Sequence, residues 1–156
     1  MKSSRTPSSK AQRDGLLKRE ADLVQGAFER IRGWSEIRVA KEVPSLGRCV
    51  DLVYLERGIV VAVEFKMNDW RRALRQARDH RLAADYVYVC MPVREIPQAM
   101  WMALAQEGIG LLFYSNEGDW PFSMALKAPQ SSETWKVARA WLRDYVKAQR
   151  LPASQS

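Results

Sequence analysis

The sequence predicts an α/β fold built on a mixed central sheet with helices on both faces. Three observations carry that prediction. The run Ile59-Val60-Val61-Ala62-Val63-Glu64-Phe65-Lys66 is largely β-branched, bounded by Gly58 and by Asn68-Asp69, and reads as a strand. Strand-like and helix-like hydrophobic periods follow one another in the order α-β-β-β-α-β-α-β-β-α. A three-stranded meander followed by a crossover helix and a further strand gives a sheet with both antiparallel and parallel pairs. At 156 residues, 47% of them hydrophobic, the chain is long enough for one domain with a real core.

Residues 1–13 hold Lys2, Arg5, Lys10 and Arg13, no acid and many serines; they are expected to form a disordered basic tail that adds phosphate affinity. Residues 151–156 are expected to be a second disordered tail, leaving 14–150 as a single domain. A first helix is expected over residues 14–32, with Leu16, Leu17, Leu23, Val24, Ala27, Phe28 and Ile31 at helical spacing. At about 100° per residue, Glu20 falls near the middle of that apolar stripe and Glu29 on the opposite face. A carboxylate on a buried face is costly unless it is paired or binds a cation, so Glu20 is the odd residue of this helix.

A first strand is expected over residues 35–43, ended by Pro44, and a second over 48–55, where Val50, Leu52 and Tyr54 alternate with Cys49, Asp51 and Val53. Glu56-Arg57-Gly58 makes a short hairpin turn into the central strand. Pairing outward from that turn brings Asp51 opposite Val63 or Glu64. On the central strand Ile59, Val61, Val63 and Phe65 share one face and Val60, Ala62, Glu64 and Lys66 the other. Glu64 and Lys66 therefore leave the same face about 7 Å apart, with Ala62 leaving room beside Glu64. Two acids adjacent on paired strands repel each other, an arrangement that calls for a cation or a shared proton.

Asn68 or Asp69 caps a second helix reaching about residue 84, with Trp70, Ala73, Leu74 and Ala77 as its buried stripe. Arg72, Gln76 and His80 line one flank; Arg71, Arg75 and Arg78 line the other. Residues 86–91 read as a buried strand stopped by Pro92, 94–107 as a helix, 109–114 as an apolar strand and 121–127 as a weaker one. The last helix is expected over 131–150, with Trp135, Ala138, Trp141, Leu142 and Tyr145 facing in and Lys136, Arg139, Arg143, Lys147 and Arg150 forming a basic stripe facing out.

Composition narrows the function classes. The formal net charge of +7 suits a polyanionic partner. No apolar run approaches membrane-spanning length, and residues 1–13 lack the apolar segment of a signal peptide, so a cytoplasmic protein with no membrane partner is expected. One histidine and no C-x-x-C pair argue against an ordinary zinc site. Cys49 and Cys90 are expected to be buried free thiols in a reducing compartment.

Asp51 followed thirteen residues on by Glu64-Phe65-Lys66 resembles the D…E-x-K motif of the PD-(D/E)XK nuclease superfamily, which has the restriction-endonuclease-like fold. Glu20 resembles the first-helix glutamate that many members carry. Gln76 resembles the glutamine of the Q-x-x-x-Y motif in the resolvase-like and repair-like branches. The motif's tyrosine position is His80 here, and Val50 stands where the motif name has proline. The resemblance covers residues 20–92 and implies an αβββαβ core. It further implies a Mg²⁺-dependent nuclease, with Mn²⁺ expected to substitute. Such an enzyme would hydrolyse DNA phosphodiester bonds with little sequence specificity in repair, recombination or restriction, branched or damaged DNA included.

Mg²⁺ makes a water nucleophilic and stabilises the pentacovalent phosphorus when a few carboxylates hold it. Under the resemblance Asp51 and Glu64 supply two metal oxygens and the Phe65 carbonyl a third, while Glu20 reaches the ion directly or through water. Lys66 orients or deprotonates the attacking water, and Gln76 holds Lys66 or a DNA phosphate. Arg72 and His80, with Arg71 and Arg75 beside them, are candidates for the phosphate backbone. Cutting both strands would call for a homodimer. The alternative is a catalytically inactive DNA-binding protein that keeps the nuclease fold.

Overall fold

A computed structural model describes residues 9–149. The elements run α1 (Ser9–Arg32), β1 (Ile37–Ser45), β2 (Arg48–Glu56), β3 (Ile59–Phe65), α2 (Trp70–His80), β4 (Tyr86–Pro92), α3 (Gln98–Glu107), β5 (Gly110–Tyr114), β6 (Phe122–Leu126) and α4 (Lys136–Ala148). This is the expected order. The six strands form one sheet in the order β1-β2-β3-β4-β5-β6. β1, β2 and β3 pair antiparallel, β3–β4 and β4–β5 parallel, and β5–β6 antiparallel. The two parallel pairs need crossovers, which α2 and α3 supply.

Local chemistry explains the meander. Leu46-Gly47 joins the pair Ser45 and Arg48, and Arg57-Gly58 joins the pair Glu56 and Ile59. All four linking residues have positive φ (50° and 75°, then 51° and 79°). That is the two-residue hairpin geometry whose twist matches the strands, and glycine in its second position takes the left-handed conformation at little cost.

The sheet separates two apolar layers. On one face Val24, Ala27 and Ile31 of α1 pack with Leu52, Tyr54, Val61, Val63 and Phe65. On the other, α2, α3 and α4 bring Ala73, Ala77, Met100, Leu104, Leu142 and Val146 against Val53, Val60, Ala62, Val87 and Val89. β3 divides its side chains between these layers by period two, as its sequence predicts. Ala62, Ala73 and Ala77 are fully buried and short, which lets α2 lie close over the strand that carries Glu64.

Several boundaries differ from expectation, each for a physical reason. Of the expected tails, residues 1–8 and 151–156 lie outside the described residues. Residues 9–13, expected in the tail, open α1, and Lys10-Ala11-Gln12-Arg13 are good helix formers. β1 runs through Pro44 to Ser45 because it is an edge strand, where a missing N–H costs no ladder bond. α2 ends at His80, and the N–H groups of Ala83 and Ala84 both turn back to its carbonyl. α3 starts at Gln98, not residue 94, because Pro97 disfavours helical geometry in the residue before it. α4 starts at Lys136, not residue 131: the Ser131 and Trp135 N–H groups bond the carbonyls of Asp85 and Leu82, tying this segment to the start of β4.

The inward face of α4 is Ala138, Leu142 and Val146, so Trp135 and Trp141, expected inside, are exposed. Arg139, expected in the outer basic stripe, turns back to Asp85. Both cysteines are free, but Cys49 is exposed and only Cys90 is buried. No helix among the described residues is long and apolar enough to cross a membrane.

Candidate active site

The β2–β3 ladder ends at the pair Leu52 and Val63. The residues just beyond it, Asp51 and Glu64, lie close together, the adjacency that both alternatives left by the sequence predict. The Phe65 N–H donates to Asp51 Oδ2 at 2.7 Å. Burial, then the charge of Glu64, pushes the Asp51 carboxyl up to about 7, against the Phe65 N–H and the nearby Lys66, which pull it down. Near neutral pH this acid is thus divided between its protonated and ionised forms. The neighbouring Cys49 thiol is also pushed up, by partial burial and by the charges of Asp51, Glu42 and Glu64.

Lys66 lies one residue past β3, where strict alternation no longer governs its direction. Its Nζ is 3.9 Å from Glu20 Oε2 on α1, whereas Glu64 Oε2 is 3.0 Å from His80 Nε2 on α2. The two motif side chains, expected side by side on one face, are therefore held by helices from opposite layers that meet at the end of β3. Glu20 Oε1 also accepts the Met67 N–H at 3.2 Å, which fixes the carboxylate against the strand end. The wheel reading of α1 holds: Glu20 is half-buried and turned to the sheet, and Glu29 is exposed and accepts a hydrogen bond from Gln25 on its own helix.

Glu20 and Asp51 line one cleft of about 420 Å³, together with Ala21, Asp22, Val24, Gln25, Lys41 and Glu42. Lys41 is hydrogen-bonded to Gln25 and sits over the Phe28 ring. The sequence reading passed over Lys41, because a lysine on an edge strand looks like any solvated charge.

α2 departs most from expectation. His80, expected on a phosphate-binding flank, is 2% exposed and engaged with Glu64. The signal was present: His80 follows Ala73 and Ala77 at the spacing of the buried stripe. Gln76, one turn earlier on the same edge, has a buried Oε1 with no hydrogen-bond partner, an acceptor that lacks its donor. Arg71, Arg72 and Arg75 are exposed, on the side of α2 away from Ala73 and Ala77, and the Arg71 guanidinium lies 4.4 Å from the Trp70 ring centre.

Among the described residues no group of three or more His, Cys, Asp or Glu side chains is arranged to hold a metal ion. What the geometry offers is a pair, Asp51 and Glu64. Mg²⁺ commonly uses one or two carboxylates and completes its shell with water and substrate phosphates. Two hard oxygen donors, with the charge of Glu64 helping to push the Asp51 carboxyl up, fit such an ion, and they do not form a full protein cage.

No family model matches the chain, and a search of curated proteins finds no match. Among solved structures, Pyrococcus furiosus SfsA in complex with Ca²⁺ aligns with a TM-score of 0.39 and 9% identity. The alignment covers 75% of this chain and 64% of that one, so the chain spans less than two thirds of its length. A likeness this slight carries nothing from that protein to this one.

Proposed function

We propose that the chain is a metal-dependent nuclease of PD-(D/E)XK type that hydrolyses DNA phosphodiester bonds with little sequence specificity, in the cytoplasm, in repair, recombination or restriction. The observation that carries this reading is the closeness of Asp51 and Glu64 at the strand end where Lys66 meets Glu20. Asp51 and Glu64 would hold Mg²⁺ or Mn²⁺, with the Phe65 carbonyl as a further oxygen and Glu20 beside them. The ion, when bound, supplies a more acidic water and offsets charge on the phosphate.

The remaining work falls to the chain. In hydrolysis a water oxygen bonds to phosphorus, the bond from phosphorus to one sugar oxygen breaks, and a proton ends on that leaving oxygen. Lys66 orients the water and balances charge on the phosphate. Glu20, itself held by the Met67 N–H, steadies the Lys66 ammonium. Gln76 accepts a hydrogen bond from Lys66 or from a bound water. Arg71, Arg72 and Arg75 add affinity for phosphates without reading bases. Cutting both strands of a duplex would take two copies.

One observation favours a second reading, a DNA-binding protein without turnover: no three ligating side chains cluster among the described residues. Supercoiled plasmid incubated with Mg²⁺, Mn²⁺ or EDTA separates the two, with electrophoretic shift at the same protein concentration. Nicking that needs the metal and disappears in Asp51→Ala and Glu64→Ala, with DNA binding in EDTA retained, is the expected result. Binding without nicking would establish the second reading, and full activity in either variant would sink the site.

A further inference from the structure

His80 is the only histidine of the chain, and it is spent on Glu64. The two side chains are 2% and 5% exposed, with Nε2 and Oε2 3.0 Å apart. An ionised carboxylate only accepts, so the ring nitrogen facing it is the donor. A buried donor on one oxygen fixes the plane of the carboxylate. Asp51, held by the Phe65 N–H, lies beside the same carboxylate. The ring itself cannot drift, because Ala73, Leu74 and Ala77 seat α2 on the sheet beside it.

We propose that His80 is a positioning residue for cation binding: it locks Glu64 through Oε2 and leaves Oε1 to act with Asp51. The inference rests on reading Asp51 and Glu64 as the cation site. It makes α2 part of the metal-binding machinery, not only a carrier of phosphate-binding arginines. Hydrogen bonds to ligating carboxylates orient the ligand, and losing such a partner typically costs 10- to 100-fold in affinity or activity.

The test compares three variants. His80→Gln carries an amide N–H to about the place of Nε2–H. His80→Asn carries one only as far as Nδ1. His80→Leu fills space with no donor. Mn²⁺ and Mg²⁺ dissociation constants by calorimetry are the primary readout, with melting temperature in EDTA and separate kcat and KM for DNA cleavage. Wild type should bind Mn²⁺. His80→Gln should stay within about threefold of it, and His80→Asn and His80→Leu should lose about tenfold or more, with kcat at low metal falling and KM for DNA unchanged. Wild-type affinity in folded His80→Leu would overturn the inference and leave the metal site standing. If His80→Leu does not fold, equal metal affinity in His80→Gln and His80→Asn would overturn it. A wild type that binds neither ion at millimolar concentration would overturn the metal site and this inference together.

Discussion

Under the proposed cation site, a proton and a cation compete for the Asp51 carboxylate. Its pKa stands at about 7 in the folded chain against an ordinary value of 3.8, from burial first and Glu64 second. Between those values the folded protein holds a proton that the unfolded chain has released. Stability without metal is therefore fully present below the ordinary value and is lost as pH rises towards about 7. The loss is on the order of a few kcal/mol at most. In EDTA the melting temperature should fall from pH 5 to pH 8, and Asp51→Asn should raise it at pH 8 and flatten the slope. A melting temperature in Asp51→Asn equal to or below wild type at pH 8 would count against paired acids. A cation must displace the same proton, so Mg²⁺ affinity in wild type should climb with pH until about 7 and then level. Titration by calorimetry at pH 6 and pH 8 measures this.

α1 carries two glutamates with opposite fates, and the helix period alone separates them. Glu20 faces the strand end and meets Lys66 and the Met67 N–H; Glu29 faces water. Glu20→Gln keeps the volume and removes the charge that steadies Lys66, so single-turnover cleavage should fall severely while circular dichroism stays native. Glu29→Gln should change neither. The reverse result would mean that α1 is rotated from its place here. On α2 the buried stripe is tied to Glu64 through His80, while Arg71, Arg72 and Arg75 face outward and Arg78 pairs with Glu107. Arg72→Ala should weaken binding to all DNA sequences alike and reduce the salt slope of affinity by about one, because a phosphate contact releases counterions and reads no base. A change in sequence preference instead would make Arg72 a base reader.

Across the whole molecule, α4 is pinned to the start of β3 by one partly buried network. Arg139 donates from Nε and Nη2 to the Asp85 carboxylate and from Nη2 to the Gly58 carbonyl, while the Val60 N–H donates to Asp85. Burial would raise the Asp85 carboxyl, but the Arg139 and Val60 hydrogen bonds outweigh it and hold the group below its ordinary value. This contribution is present above the ordinary carboxylate range and fades as pH falls through the depressed value, opposite in sign to that of Asp51. Arg139→Leu strands the Asp85 charge and should cost on the order of 3 kcal/mol, read by urea denaturation at pH 7. A loss below about half of that would show that water or another donor replaces the guanidinium.

Element order, the meander, the opposed faces of β3 and the exceptional status of Glu20, Asp51 and Glu64 were legible in the sequence. They depend on local periods and on a hairpin turn at Glu56-Arg57-Gly58; that the link is only Arg57-Gly58, and the register this sets, came from the structure. The partners of those acids were not legible. That Lys66 answers to Glu20 and Glu64 to His80 depends on two helices, separate in sequence, arriving at one strand end from opposite layers. The inward turn of Arg139 likewise depends on where Asp85 lies, and the exposure of Trp135 and Trp141 on which stripe of α4 meets the sheet. Periodicity states which side chains share a face. Only packing states what that face meets, because the energy of a buried charge is set by neighbours distant along the chain.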